Sequence, residues 1–495
     1  MAAMNGKRKR EEAVGKQKPV KKAALSPPAK GKLQNSSIKK ASAATPSTVN
    51  HQESTSDLHF QVVTGSYERV LHGLQARIPR AALSSAKQDK QIEFSDTFLF
   101  AAHSSAIRCL AISPSEDADK RLLATGSSDE RINVYSLSTA PPPPGSTAIL
   151  PSLSGVAAAG NPRNKSLGSL VHHDRAITRL HFPVKSKLFS AAEDSTIAVS
   201  RSRDWTMLGS MKAPVPKPQG RPSGDTAAPG EIPAGVNDFA IHPSQKLMLS
   251  VGRGEKSLRL WNLTTGKKAG VLNFEVDLLK QVGESKFSSG EGRRVLWDEA
   301  GENYVVGFER GAAVFGIDSE PKAIIKPDRS PKVHQIRLVP TAGPESLIAL
   351  STEDGRILFY DTNSNGEASE ASKLPHLHCI AQLGGEAAGV AGRIKDFEVI
   401  NLPGAEPLLL FITAGSDGAV RIWSVQIAEL VGQAGDETRQ IGRLVATHET
   451  GDRVTCIGAF VMDGKASDGV ADATEGLAET DVAAGAEDDS EEDSD

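Results

Sequence analysis

Six times along this chain an acidic residue stands six positions ahead of an aromatic residue or its replacement. The pairs are Asp129 and Tyr135 (DERINVY), Asp194 and Ser200 (DSTIAVS), Glu255 and Trp261 (EKSLRLW), Glu309 and Phe315 (ERGAAVF), Asp354 and Tyr360 (DGRILFY), and Asp417 and Trp423 (DGAVRIW). Internal similarity at such a period marks a repeat architecture, in which each unit buries its apolar faces against its neighbours. Each unit opens as a turn and continues with apolar residues at alternate positions, the pattern of a hairpin running into a half-buried strand. A short apolar strand precedes each acidic residue, as in LLATGSS, KLFSAAE and LLLFITAGS, and a further strand precedes that one, as in AIRCLAISPS, GVNDFAIHPS and GRIKDFEVINL. Repeated antiparallel units of this kind form sheets that radiate around a channel.

The two ends of the repeat array fit together. DRVTCIGAFVM (452–462) reads as the first strand of a further blade with nothing after it to complete the sheet. HFQVVTGSYERVLHGL (59–74) supplies a second and third strand, and QIEFSDTFLFAAH (91–103) an outer fourth. Pairing them closes the ring and removes the open edges of an unclosed sheet. The expected fold is therefore all-β, a seven-bladed propeller over 58–464, with 452–462 joined to 59–103. The steps between aromatic positions are uneven because polar or Pro/Gly-rich loops are inserted, at 141–162, 213–233, 364–373 and around 428–440.

Outside this body the charge separates. Residues 1–50 hold 12 Lys/Arg against 2 Glu, and residues 466–495 hold 12 Asp/Glu and no basic residue, so a net charge of −4 conceals two opposed tails. Both lack apolar periodicity, and 1–57 and 465–495 are expected to be disordered. The basic clusters Lys7, Arg8, Lys9, Arg10 and Lys18, Lys21, Lys22 have the character of a nuclear localisation signal or a phosphate-contacting patch. Ser490 and Ser494 sit among carboxylates, where an acid-directed kinase could act. No apolar run approaches the roughly 18 residues needed to span a bilayer, so no membrane contact is expected.

The repeat, most clearly LFITAGSDGAVRIWSV (410–425), resembles the WD-repeat family. In such repeats the turn aspartate hydrogen-bonds a histidine at the start of the blade, which links through a Ser or Thr toward the aromatic. The resemblance assigns His103, Ser127, Asp129 and Tyr135 to this network in one blade and His173 and Asp194 in the next, where Ser200 replaces the aromatic. Trp261, Asp354, Tyr360, Asp417 and Trp423 take the corresponding structural positions.

Signatures of catalysis are near misses. GRGEKS (252–257) lacks the spacing of a phosphate loop and lies between strands. DTNSNGEASEAS from Asp361 has Ser372 where a calcium loop has a bidentate Glu. Cys109, Cys379 and Cys456 are widely separated and read as buried thiols in strands, not metal ligands. The sequence thus points to a non-catalytic protein with no cofactor, no metal and no small-molecule substrate. Arg131, Arg175 and Arg253, near blade turns, are candidate partner contacts because guanidinium pairs well with phosphate and carboxylate.

Several further segments resemble one WD-repeat family in particular, the p21-activated-kinase-interacting type that also contains a fungal large-subunit ribosome-assembly factor. They are VTGSYERVLHG (63–73), AHSSAIRCLA (102–111), LATGSSDERI (123–132), FSAAEDSTI (189–197) and HPSQKLMLSVG (242–252), continuing to LRLWNLTTG (258–266). That resemblance implies nuclear and nucleolar residence and a scaffolding role in assembly of the large ribosomal subunit, with pre-ribosomal proteins and pre-rRNA as partners. In some members it implies regulation of a p21-activated kinase.

Overall fold

The computed structural model describes residues 57–84, 92–115, 120–141, 163–215, 234–285, 288–341, 346–364, 374–402, 407–430 and 438–464. The basic clusters from Lys7 to Lys22, the acidic segment 466–495 and most of each inserted loop lie outside these residues.

Seven antiparallel sheets are arranged as blades. From the innermost strand outward, blade 1 is Ile107–Ile112, Lys120–Ser127, Ile132–Ser138 and Lys165–Leu170. Blade 2 is Ile177–Val184, Lys187–Ala192, Thr196–Arg201 and Met207–Lys212; blade 3 is Val236–Ile241, Leu247–Gly252, Ser257–Asn262 and Lys267–Asn273. Blade 4 is Arg294–Trp297, Asn303–Gly307, Ala312–Gly316 and Pro321–Ile325; blade 5 is Val333–Val339, Leu347–Thr352, Arg356–Asp361 and Ala381–Gly384. Blade 6 is Ile394–Leu402, Leu408–Gly415, Ala419–Gln426 and Arg443–Glu449. Blade 7 joins the two ends of the array: Val454–Val461 is innermost and pairs with Leu58–Ser66, followed by Val70–Ile78 and Glu93–Ala101.

The region around 428–440, expected as a loop, is partly structured. Ile427–Leu430 is a helical turn, and Arg439–Gln440 adds to blade 5 as a fifth, parallel strand beside Ala381–Gly384. Cys109 and Cys456 are buried in innermost strands, but Cys379 is half-buried and precedes a strand, its thiol 3.3 Å from the Ala381 carbonyl.

Strand alternation builds a core on both faces of each sheet. In blade 6, Val420 and Ile422 pack with Phe60, Val62 and Leu74 of blade 7, while Trp423 and Val425 pack with Phe359 and Leu383 of blade 5. A period of two thus buries both alternating sets, because each face meets a neighbouring blade.

Side chains on or beside the innermost strands reach forward to the next blade all the way round. Arg108 in blade 1 pairs with Glu193 of blade 2 at 2.8 Å, and the Thr178 hydroxyl of blade 2 donates to the Val236 carbonyl of blade 3 at 2.6 Å. Asn237 donates to the Gly292 carbonyl ahead of blade 4, and Arg294 of blade 4 to the His334 carbonyl of blade 5. Gln335 of blade 5 donates to Asp396 of blade 6 at 3.0 Å, and Asp396 accepts the Ile457 amide of blade 7 at 3.2 Å. Thr455 of blade 7 closes the circuit on the Ile107 carbonyl at 2.6 Å. Buried backbone groups that the sheets leave over are satisfied in this way across blade boundaries.

Candidate interaction face

The turns joining second and third strands, and the segments that cross from one blade to the next, share one face of the ring. In blade 1 the Asp129 carboxylate accepts the Ser104 amide at 2.9 Å and the Arg131 amide at 3.1 Å, and lies 3.1 Å from His103 Nδ1. His103 Nε2 is 2.8 Å from the hydroxyl of Thr125, not that of Ser127. Ser127 instead donates to the Ser105 and Ala106 carbonyls, so its assigned place in the histidine network passes to Thr125. Burial works to raise the Asp129 carboxyl, but the Ser104 amide and His103 outweigh it and hold it below the usual carboxylate range. Burial lowers His103 despite Asp129, and it raises the Tyr135 hydroxyl to about 12.

Blade 2 repeats the arrangement. His173 Nδ1 lies 3.0 Å from Asp194, and its Nε2 2.8 Å from the Ser190 hydroxyl. Burial alone would raise Asp194, yet the His173 ring and the Thr196 hydroxyl and amide bring it down to about 2. Ser200 is buried at the aromatic position.

Blades 3, 5 and 6 hold the same turn with arginine. Glu255 pairs with buried Arg259, Asp354 with Arg356 at 2.6 Å, and Asp417 with Arg421 at 2.7 Å. The indole of Trp261 donates to Ser250 at 2.8 Å and that of Trp423 to Thr413 at 3.4 Å, while Tyr360 is buried in the blade 4 and 5 core. In blade 4, Glu309 is held by Lys332 at 2.8 Å and Arg293 at 3.2 Å. None of these pairings was legible from the repeat alone, although the Arg two or four residues after the acid is a sequence-local signal.

Arg131, Arg175 and Arg253 are all exposed on this face, but they are not equivalent. Arg253 shares the Glu193 carboxylate with Arg108, at 2.9 and 2.8 Å. Arg131 lies in the Asp129 turn and Arg175 in the crossing into blade 2. Further round, Tyr67 is 61% exposed with the Arg453 guanidinium 5.6 Å above its ring, an aromatic and arginine pairing typical of protein contacts.

At the other end of the channel a cavity of about 300 Å³ is lined by Ile112, Arg179, His181, Arg337, Glu398 and Ala459, among others. Arg337 bridges Asp396 and Glu398 at 3.3 and 3.2 Å, and Arg179 meets Asp238 at 3.1 Å. Burial beside Arg179 and Arg337 pushes His181 down to about 4, so it is neutral near pH 7. Among the described residues, one cluster has donor atoms close enough for a metal: His72, Asp96 and His448, within 4.8 Å of one another. His72 and Asp96 already bond each other at 2.8 Å and Phe94 packs on the His448 ring, an arrangement that works as a polar seam between blades 6 and 7.

Seven blades, six of four strands and one of five, closed by pairing the two ends of the repeat array and carrying acid-anchored turns, define a WD-repeat β-propeller. The WD domain, G-beta repeat family matches residues 94–136, a window from the outer strand of blade 7 through the third strand of blade 1. The chain is similar to Protein MAK11 of Saccharomyces cerevisiae, 27% identical over 420 residues covering 80% of this chain and 82% of that protein. It is likewise similar to a p21-activated protein kinase-interacting protein 1-like of Xenopus laevis, 25% identical over 82% of this chain and 83% of that one. Shk1 kinase-binding protein 15 of Schizosaccharomyces pombe is 23% identical over 82% and 85%.

Proposed function

We propose that this protein is a non-catalytic nuclear and nucleolar scaffold in assembly of the large ribosomal subunit, holding pre-ribosomal proteins and pre-rRNA against the propeller. The observation that carries the reading is the length of the likeness to Protein MAK11, which takes in about four fifths of both chains and so spans the ring, not a single repeat. The basic clusters Lys7 to Arg10 and Lys18 to Lys22 support entry into a phosphate-rich nuclear compartment. Arg131, Arg175 and Arg253, with the Tyr67 and Arg453 pair, form the contact face in this reading.

Sedimentation of lysates tests it. Part of the protein travels with large pre-ribosomal particles, its depletion lowers free large subunits relative to small ones, and replacing Lys7, Arg8, Lys9, Arg10, Lys21 and Lys22 with Ala moves it to the cytoplasm. Sedimentation only as a small complex with steady subunit ratios would refute the reading. A second reading, an adaptor that binds and restrains a p21-activated kinase, draws on the names of the Xenopus and fission-yeast relatives. It is favoured instead if loss of the protein changes kinase signalling while subunit ratios hold.

A further inference from the structure

The outer edges of the blades are treated unequally. The edge of blade 4 is covered by the segment around His376, with Ile324 donating to the Pro375 carbonyl at 2.9 Å and accepting the Leu377 amide at 2.8 Å. The edge of blade 5 is covered by Arg439–Gln440. Among the described residues nothing pairs with the outer sides of Met207–Lys212 in blade 2 or Lys267–Asn273 in blade 3. These two strands expose Met207 (51%), Leu208 (45%) and Val271 (46%). An open strand edge with apolar side chains is a template for another chain, which proteins normally cover or charge.

Between the two edges runs a groove of about 470 Å³ whose lining includes Val199, Leu208, Ile241 and Leu263, with Lys187 and Gly266 at its rim. Lys246, Lys267 and Lys268 adjoin that lining in the chain and are exposed. The only described carboxylate in the strand-end turns on this side of blades 2 and 3 is Asp204, which is paired with Arg201 at 3.1 Å. The corresponding turns of blade 4 are the reverse, carrying Asp298, Glu299, Glu302, Asp318 and Glu320. A ligand for the groove must therefore be acidic, with a few apolar residues, and is repelled from the adjacent blade.

The chain holds such a segment. Residues 466–495 carry 12 Asp/Glu, no Lys or Arg, and Val470, Leu477 and Val482. The last described residue, Gly464, donates its amide to the Thr139 carbonyl at 3.2 Å, at the end of the third strand of blade 1. That end is on the same side of the ring, one blade away from the groove. Residues 465–476 reach up to about 40 Å when extended, against a blade width of roughly 20 Å for four strands. The inserted segments 142–162 and 216–233 carry no comparable acidity.

We infer that the acidic segment 466–495 of this chain docks along the open edges of blades 2 and 3, its carboxylates on Lys187, Lys246, Lys267 and Lys268 and its apolar residues in the groove between them. Burying side chains there removes Met207 and Leu208 from water, and the ion pairs fix which edge is chosen. The inference does not depend on the proposed function, and its test uses the purified full chain alone.

Hydrogen–deuterium exchange of Met207–Lys212 and Lys267–Asn273 is measured in three full-length forms. They are the intact chain, a chain with the Asp and Glu of 466–495 changed to Asn and Gln, and the quadruple variant Lys187→Glu, Lys246→Glu, Lys267→Glu and Lys268→Glu. Docking gives at least tenfold faster exchange in either variant, and the same loosening of the intact chain in 0.5 M salt. Combining the quadruple variant with a 466–495 segment rewritten from Asp and Glu to Lys restores slow exchange, which guards against simple misfolding of the surface. Equal exchange in the intact and neutralised chains overturns the inference. So does a labelled RNA hairpin that binds the four lysines with the same affinity in both forms, since a docked segment must compete with it.

Discussion

Blades 1 and 2 fix their turn aspartates with histidine, whereas blades 3, 5 and 6 fix the turn acid, Glu255, Asp354 or Asp417, with arginine. The difference is one of reach. His103 and His173 belong to the segments entering their blades, so Asp129 and Asp194 tie the crossing from the preceding blade to the hairpin. Arg259, Arg356 and Arg421 lie on the same hairpin as their acids and act within their own blade, Arg356 reaching also to Gln382 of the fourth strand at 3.2 Å. Histidine also continues inward to a buried hydroxyl, Thr125 or Ser190, making a network of neutral and charged groups with little water access. Asp417 and Arg421 are more open, with side chains 36% and 14% exposed, where solvent screens the pair. The same acid thus serves as an inter-blade tie in one half of the ring and as a local clip in the other.

The largest expected contrast lies at the aromatic position, which the arginine blade 6 fills and the histidine blade 2 does not. Trp423→Ala, which empties a buried site beside Phe359 and Leu383, costs about 3–5 kcal/mol, and Ser200→Ala costs under about 1 kcal/mol. Urea denaturation of both variants measures this, and comparable losses would erase the contrast. Next come the acids: Asp194→Asn costs about 1.5–3 kcal/mol, since it loosens a mostly buried hydrogen-bonded network, while Asp417→Asn costs under about 1 kcal/mol. Thermal melts in low and high salt separate them further, because only the Asp417 effect shrinks with salt. Equal costs would mean that the two wirings do the same job.

Acidification sharpens the comparison by sign. The Asp194 carboxyl is depressed to about 2 in the fold, below an unfolded value of about 3.9. Its stabilisation is complete above the unfolded value and fades as pH falls through that of the fold. His103 is also depressed, by burial, so its contribution is full above about 6.5 and is lost as pH falls through its folded value. The intact chain therefore loses stability between pH 7 and pH 5 more steeply than His103→Gln, and between pH 4 and pH 2 more steeply than Asp194→Asn. Parallel denaturation midpoints across pH would contradict this. The smallest effect concerns the turn itself. Glu130 and Ser195 hold left-handed backbone (φ 70° and 64°) at the position that is Gly355 in blade 5 and Gly418 in blade 6. Glu130→Gly relieves that strain and stabilises by about 0.5–1 kcal/mol; a loss on substitution would show that the Glu130 side chain contributes more than its backbone costs.

Alternation and turn spacing made the second and third strands of every blade readable, and the orphan segment 452–462 made the closure readable. Outer strands such as KSLGSL and MLGSMK escaped notice because they face water and need no apolar alternation. Thr125 and Ser127 sit two residues apart on one strand face, so spacing cannot choose which hydroxyl meets His103; the choice depends on how near each lies to the crossing segment. Asp238 and Asp396 look like solvent-side residues of alternating strands. Their solvent side is the channel, where each caps an amide of the following blade, Val295 and Ile457 respectively.

The sheet of blade 7 sets a schedule for synthesis. Leu58–Ser66 leaves the ribosome early, yet its neighbour Val454–Val461 emerges about 390 residues later. At 5–20 residues per second that interval is roughly 20–80 s. Throughout it one side of Leu58–Ser66 lacks its strand partner, and Phe60, Val62 and Val63 lack part of their cover, so the nascent chain carries an adhesive edge for the whole of that interval. A chaperone that recognises such an edge would have its binding site and its time window both written into the order of the strands.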